Sequence, residues 1–325
     1  MASDTLIFDP DGDLILILPK SQAETIGTTK NEEPARKRAK LSVSHGQTAS
    51  ESPNIRMQVS SKHLAMASPV FKAMIAHGFA EGEALRAHGK VEIPLPGDDS
   101  ADMTILLDII HGRSRRVPRE VSMTLLALLA IAVDKYLLQE VSEVYSDIWI
   151  DSFKDEFDDF MTAFDEASDL SIQLMWLTIS WVFRNPVKFK TATKNLIKNK
   201  ISCESEVETR VPGTDQVLPL PISVLDTIRS IQEEIITKLY SHVEEQIQMY
   251  TSPIKYGKSA ICQSSNDAKK NRQCDAMVLG SMIQSVSTRL SAWPNPGAPY
   301  TFSIYSLKRQ IGSLKIFSLC GSASF

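Results

Sequence analysis

The chain has 325 residues, a net charge of −4, and ordinary fractions of hydrophobic (43%) and charged (23%) residues. This composition excludes wholesale disorder and a collagen-like structure. The charge excludes attraction of the whole chain to polyanions, and the length predicts about two domains.

The longest uninterrupted apolar run covers residues 125–133, far shorter than the roughly 20 residues of a membrane-spanning helix. Residues 1–4 contain no basic start, and no apolar segment follows as in a secretory signal. Four cysteines in a chain of this length do not form a disulfide framework. We therefore expect an intracellular protein with reduced thiols, located in the nucleus, the cytoplasm or both, and no membrane partner.

The first elements along the chain are two strands separated by a polar segment. Residues 13–18 are a run of β-forming residues that ends at Pro19. Residues 55–59 alternate apolar and polar side chains with the period of a strand. Residues 20–54 hold hardly any large apolar side chain, so this segment cannot offset its chain entropy by burial. We expect a hairpin with a long, mobile insert.

A helix with an apolar stripe is predicted to begin at Ser60 or Ser61. Pro69 lies within the stripe, so the helix should break or kink after its first turn. Residues 91–95 follow as a third short strand. No element is assigned to residues 75–90.

Three more helices are predicted before residue 150. One begins at residues 98–100 and ends near Gly112. The next follows Ser122 and contains the long apolar run, and another covers about residues 139–149. Because the helix after Ser122 is apolar nearly all round, we expect it at the centre of a core.

The chain is predicted to divide near residue 150, into an N-terminal domain of residues 1–150 and a mainly α-helical region of residues 151–325. The second region begins with an acidic segment, residues 151–169, in which four phenylalanines recur at helical spacing. They are Phe153, Phe157, Phe160 and Phe164. The spacing predicts one helix with a core-facing stripe, although acidic residues interleaved with aromatics are also typical of activation-type interaction segments.

Three further segments follow in the second region. Residues 188–200 carry five lysines, which form either a solvated helix face or a set of phosphate contacts. Residues 202–221 are a turn-rich linker. Residues 224–247 predict a long amphipathic helix that packs within the chain or pairs with a partner chain.

Several motifs in the first region occur in a characteristic order. They are the segment from Val59 to Met74, the pattern Phe79-x-Glu81-Gly82, and Ile93-Pro94-Leu95. With the strands before them, they resemble a BTB/POZ domain over about residues 9–150. A further set is similar to the fungal branch of that family: Leu106 to His111, Val117 to Glu120, and Ala132 to Tyr136. Residues 262–320 resemble the region that often follows in fungal proteins of this type, and the insert at residues 20–54 departs from the usual pattern.

The resemblance implies an α+β domain in which a small sheet packs on a helical cluster. Such domains commonly self-associate or dock onto another protein. Some members are substrate adaptors of cullin-type ubiquitin ligases, and others act in transcriptional regulation. The partners implied are therefore a second copy of the chain or a cullin-type scaffold.

No motif of an enzyme or of a cofactor site is present, and we expect no catalytic or cofactor-binding residues. Residues 9–13 have a Gly at the wrong position for a calcium loop and are interpreted as a turn. Zinc sites usually contain at least one short C-x₂₋₄-C pair, and Cys262, Cys274 and Cys320 contain none. These cysteines are expected to be ordinary reduced thiols, and no metal ligand is assigned.

The insert carries a dense basic cluster, Arg36, Lys37, Arg38 and Lys40. Basic residues at this density in an accessible segment are typical of a nuclear-import signal or a weak nucleic-acid patch. The leading hypothesis is a non-enzymatic interaction protein in nuclear regulation. The alternatives are a ubiquitin-ligase adaptor and a nuclear regulator that contacts nucleic acid through its lysine-rich segments, with nucleic acid the less favoured partner.

Overall fold

The structure is a computed structural model that describes residues 5–20, 54–76, 78–162, 169–199, 209–252 and 260–320. The described chain contains one small sheet and many helices, which confirms the predicted α+β class. The strands are β1 (Thr5–Ile7), β2 (Leu14–Pro19), β3 (Asn54–Val59) and β4 (Val91–Pro94). The helices are α1 (Ser61–Ala67), α2 (Pro69–Met74), α3 (Ala80–His88), α4 (Ser100–Ile110), α5 (Met123–Tyr136), α6 (Gln139–Ser152), α7 (Lys154–Thr162), α8 (Leu170–Val182), α9 (Pro186–Lys198), α10 (Ile222–Thr251), α11 (Ala268–Arg289) and α12 (Ile304–Gly312).

The chain forms two compact units. The first unit comprises Met1–Asp155, with Val182–Arg184 and Val211–Val217. The second unit comprises Glu156–Trp181, Asn185–Arg210 and Leu218–Phe325. The boundary at residue 150 stays a prediction about independently folding domains.

The four strands of the first unit form a sheet in the order β1-β3-β2-β4. β2 and β3 are antiparallel, and Pro19 lies opposite Asn54, so the two strands are the arms of a hairpin as predicted. β1 pairs in parallel with β3, and β4 pairs in parallel with β2. Residues 21–53 of the predicted insert lie outside the described residues, and its last residue, Asn54, belongs to β3.

One face of the sheet carries the core of the first unit. Leu16 lies between Met57 and Ile93 in the register of three neighbouring strands, and all three side chains are buried. The opposite face is more polar, and Arg56 forms an ion pair with Glu92 across β2. This difference between the faces is the two-residue alternation from which β3 was predicted.

The first predicted helix is divided into α1 and α2, as Pro69 indicated. Ser60 is the N-cap of α1, and the Ser68 hydroxyl caps α2 by accepting the Phe71 backbone N–H at 3.0 Å. Pro69 occupies the first turn of α2, where its missing N–H removes no helical hydrogen bond. The Ser68 hydroxyl also donates to the Tyr136 carbonyl oxygen at 2.6 Å, which ties the break to the end of α5.

The predicted starts of α4 and α5 are confirmed. Asp99 caps α4 and Ser122 caps α5, in each case through a side-chain oxygen that accepts a backbone N–H. α5 is the predicted core helix, and its buried residues are Leu126, Ala127, Leu129, Ala130, Ala132, Val133 and Tyr136. α6 extends to Ser152, slightly beyond the predicted end.

Two elements of the first unit were not predicted. β1 has only three residues, too few for an alternating pattern to be recognised. α3 forms within residues 75–90, although Gly82 is its only buried residue. An added Cβ at Gly82 would lie 2.2 Å from the Ala76 carbonyl oxygen, so a close backbone approach, not an apolar stripe, fixes this helix.

The prediction of one helix with a phenylalanine stripe was wrong. Phe153 is the C-cap of α6, and a new helix, α7, begins at the next residue. Phe157 is buried and Phe160 half-buried, while Phe164 lies outside the described residues. The break after α6 therefore removes Phe153 from the helix face that Phe157 shares with Phe160.

The predicted long amphipathic helix is confirmed as α10, and it packs within the chain. α9, α11 and α12 contact it, all within the second unit. The core of this unit includes Ile236, Tyr240, Val243, Val278, Met282, Val286 and Leu307. Tyr240 lies among aromatic rings of this core, and its hydroxyl donates to the Ala292 carbonyl oxygen at 2.8 Å.

None of the described helices is both long enough and apolar enough to cross a lipid bilayer.

Candidate functional site

The edge strand β1 exposes two large apolar side chains. Leu6 is 40% exposed and Ile7 is 51% exposed. β1 pairs with β3 on one side, and no other described strand lies on its outer side. An edge of this kind presents backbone groups and apolar surface to which another chain can bind.

The end of β1 is fixed to the body of the first unit by Arg113. Its guanidinium donates to the Ile7 carbonyl oxygen at 2.9 Å and lies over the Phe8 ring, 5.2 Å from the ring centre. The Phe8 backbone N–H donates to the Gln58 carbonyl oxygen at 2.9 Å. β1 is therefore held in place while its apolar side chains stay exposed.

His111 joins the end of β1 to the start of α1. Its Nε2 accepts the Ser60 backbone N–H at 3.1 Å, and its Nδ1 donates to the Leu107 carbonyl oxygen at 2.8 Å. Burial is the main cause that lowers the pKa of His111, which favours this neutral form. The His63 and Phe8 rings lie 5.2 and 5.9 Å from the His111 ring. These partners give His111 a structural role.

Residues 9–13 and His88, two further features of the first unit, lie in separate places. Residues 9–13 form the expected turn, and the Asp13 carboxylate accepts the Ser61 backbone N–H and hydroxyl at 2.8 and 2.7 Å. His88 contacts the Ala84 carbonyl oxygen within α3, and His77 lies outside the described residues. The basic cluster Arg36, Lys37, Arg38 and Lys40 also lies outside them.

The lysine-rich segment forms α9, but its lysines differ in their surroundings. Lys188 lies 3.9 Å from the centre of the Phe157 ring and 3.9 Å from an Asp158 carboxylate oxygen. Lys190 and Lys194 are exposed and one turn apart. Lys188 therefore belongs to the packing of α7 and α9, and is not part of a continuous basic face.

Three cysteines that are distant in sequence lie together in the second unit. The Cys320 Sγ atom is 3.1 Å from that of Cys274 and 3.5 Å from that of Cys262. All three sulfur atoms lie within 4.8 Å of one another. The three side chains, here called the thiol cluster, are free thiols that could hold a metal ion. Their sequence spacing did not predict this proximity.

Hydrogen bonds to α11 bring the thiol cluster together. The Asp275 carboxylate accepts the backbone N–H groups of Ile261 and Cys262 at 2.7 and 2.8 Å. On the same helix, the Ser281 hydroxyl accepts the Phe317 N–H at 2.9 Å, and the Ser285 hydroxyl accepts the Lys315 N–H at 2.8 Å. These bonds place the segments that carry Cys262 and Cys320 beside Cys274.

The thiols of the cluster differ in acidity. The hydrogen bond from Cys274 is the main cause that lowers the pKa of Cys320 to about 7. Burial is the main cause that raises the pKa of Cys274 to about 11. Cys320 is exposed and Cys274 is buried, so the thiolate forms first at the solvent side of the cluster.

Comparison with known families identifies a BTB/POZ domain at residues 49–152, about a third of the chain. Comparison with curated proteins gives no match. BTB/POZ domains mediate protein–protein interactions, so the first unit contains a protein-interaction module. The match begins after β1 and β2, yet β2 is a central strand of the sheet. The folded domain therefore includes residues that precede the polar insert.

Proposed function

We propose that this chain is a non-enzymatic interaction protein whose BTB/POZ domain binds a second copy of the chain. The observation that carries the proposal is the edge strand β1 with its exposed side chains Leu6 and Ile7. Removing these apolar side chains from water in an interface with a partner makes the free energy of association more favourable. The domain family supports a role in protein interaction and not in catalysis.

A second copy fits this edge because of symmetry. A twofold axis beside β1 brings the same strand of both copies together, antiparallel, so one surface serves both chains. α1 adjoins the end of β1 through His63 and His111, and Met66 on α1 is 86% exposed. Met66 extends the apolar surface available to the second copy.

Light scattering behind a sizing column tests self-association, with the full chain over a range of concentrations. We expect a dimer for the native chain and a monomer for Ile7→Lys, because a desolvated ammonium in an apolar contact is unfavourable. Val144→Lys is the control, since Val144 is 69% exposed on α6. A native monomer at every concentration would refute self-association, and an Ile7→Lys dimer would refute the role of β1.

The second candidate function is that of an adaptor for a cullin-type ubiquitin ligase. Phe79 is 55% exposed at the start of α3, and aromatic side chains are frequent anchors of interfaces. α3 contacts β4, the edge of the sheet opposite β1. A partner that binds at Phe79 would leave β1 accessible. A pull-down with a cullin scaffold from the same organism tests this function, and failure to bind would count against it.

We propose further that the protein acts in the nucleus. The support is the basic cluster Arg36, Lys37, Arg38 and Lys40 within a polar segment. Replacing all four residues by Ala should move a tagged protein out of the nucleus. Microscopy of the tagged native and substituted chains measures this, and an unchanged distribution would contradict the import signal.

Three segments of the first unit bear on which branch of the BTB/POZ family the domain belongs to. We infer that the domain is of the fungal type, because three segments are similar to that branch of the family: Leu106 to His111, Val117 to Glu120, and Ala132 to Tyr136.

Binding of nucleic acid through the lysine-rich segment is a less favoured function than protein interaction. Lys188, one of its lysines, is engaged by Phe157 and Asp158.

A further inference from the structure

We propose that Cys262, Cys274 and Cys320 bind one Zn²⁺ ion through three sulfur ligands. Thiolates are preferred ligands of Zn²⁺, which takes four donors in a tetrahedron with Zn–S distances of about 2.3 Å. That geometry separates the sulfur atoms by roughly 3.8 Å. The Cys320 sulfur lies 3.1 Å from that of Cys274 and 3.5 Å from that of Cys262. These two separations need to widen by only about 0.7 and 0.3 Å to match the tetrahedral geometry.

The surrounding bonds make the thiol cluster a built site and not a chance encounter of side chains. Each flanking segment is held to α11 by its own bonds: Asp275 fixes the backbone at Cys262, and Ser281 and Ser285 fix the segment before Cys320. Polar groups that orient metal ligands in this way raise affinity, because less freedom is lost when the ion binds. Asp275 acts as a positioning residue, since both carboxylate oxygens already accept backbone N–H groups.

The exposure of the sulfur ligands matches an ion that enters from solvent. Cys274 is buried at the base of the thiol cluster, Cys262 is half-buried, and Cys320 is exposed. Three protein ligands leave one tetrahedral position, which a water molecule can fill. The ion would connect the segment after α12 to α11, so its effect is on the stability of the second unit. The thiol cluster belongs to the second unit, and the proposed self-association surface belongs to the first unit.

Zinc titration of the full chain, prepared metal-free under reducing conditions, tests the proposal. We expect one Zn²⁺ per chain in competition with a chromophoric chelator. Cys262→Ser and Cys320→Ser should each weaken binding by at least about 100-fold. Co²⁺ in place of Zn²⁺ should give the absorption of a tetrahedral thiolate complex. Absence of bound Zn²⁺, or an octahedral Co²⁺ spectrum, would overturn the proposal.

Two controls keep the result interpretable. Cys203→Ser removes the remaining cysteine of the chain, which lies outside the described residues, and should retain one Zn²⁺. A loss of zinc from Cys203→Ser equal to that of the cluster variants would overturn the assignment of three sulfur ligands. Cys320→Ser changes an exposed side chain, so circular dichroism should show native helicity. Zn²⁺ should raise the melting temperature of the native chain but not of Cys320→Ser. An equal rise in both chains would refute the role of Cys320 as a ligand.

Discussion

Asp102 is a buried carboxyl in the first turn of α4. It is 6% exposed, and burial is the main cause that raises its pKa to about 8, with repulsion from Asp99 and Asp98 adding to the shift. Asp98 lies in a different setting, because its carboxylate accepts hydrogen bonds from Lys135 at 2.8 Å and from the Tyr136 hydroxyl at 2.6 Å. Burial therefore favours the neutral acid at Asp102, whereas Asp98 has an ammonium and a hydroxyl as hydrogen-bond donors.

The raised pKa of Asp102 makes stability depend on pH. Because the folded chain holds this proton more tightly than the unfolded chain, the contribution is complete below about pH 4 and is lost as pH rises through about 8. Between pH 5 and pH 7 the loss is at most about 2–3 kcal/mol. Asp102→Asn, which stays neutral, should flatten this part of the profile in urea unfolding. Asp147→Asn, on an exposed position of α6, should leave the slope unchanged. Equal slopes for the native chain and Asp102→Asn would contradict the assignment.

Phe71 is the central aromatic residue between α2 and α5. It is fully buried and stacks on Tyr136 with 4.5 Å between ring centres. Phe71→Ala should lower the free energy of unfolding by about 3–5 kcal/mol, because the site loses its apolar contacts and leaves a cavity. Val144→Ala, at a 69% exposed position on α6, is the control and should change stability little. An unchanged melting temperature for Phe71→Ala would show that the ring contributes nothing to the core.

At the scale of elements, prediction worked where one residue pattern dominates. β3 alternates, α5 is apolar all round, and α10 keeps an apolar stripe over its whole length. α3 lacks such a stripe, and its position depends on the backbone contact at Gly82. The helical spacing of the phenylalanines continues across the end of α6, although the helix itself ends there. The spacing of apolar side chains does not by itself show where one helix ends and the next begins.

The candidate sites depend on tertiary structure to different degrees. The exposure of Leu6 and Ile7 follows from the position of β1 at the sheet edge, and strand order cannot be deduced from a three-residue segment. The thiol cluster joins residues on separate segments, so no short motif marks it. The hydroxyls of Ser281 and Ser285 both accept backbone N–H groups of the segment before Cys320. Serines are too common in helices for this pair to have predicted those hydrogen bonds from sequence.

At the scale of the whole molecule, each unit carries one feature that extends beyond packing. The first unit contains the BTB/POZ domain and the exposed edge strand β1. The second unit contains the thiol cluster, which closes the segment after α12 onto α11. We therefore expect substitutions at β1 to change self-association, and substitutions in the thiol cluster to change metal-dependent stability.

The polar insert can be separated from folding, because Pro19 and Asn54 lie opposite each other in the sheet. Replacing residues 20–53 by a four-residue turn containing Gly shortens the loop by about three doublings of length, which should stabilise the chain by roughly 2 kcal/mol. The shortened chain should still self-associate but should lose nuclear accumulation together with the basic cluster. Urea unfolding, light scattering and microscopy measure the three effects. The full-length chain with Ala at Arg36, Lys37, Arg38 and Lys40 is the control and should lose nuclear accumulation without gaining stability. A shortened chain that is less stable than the native chain would show that the insert contributes contacts to the fold.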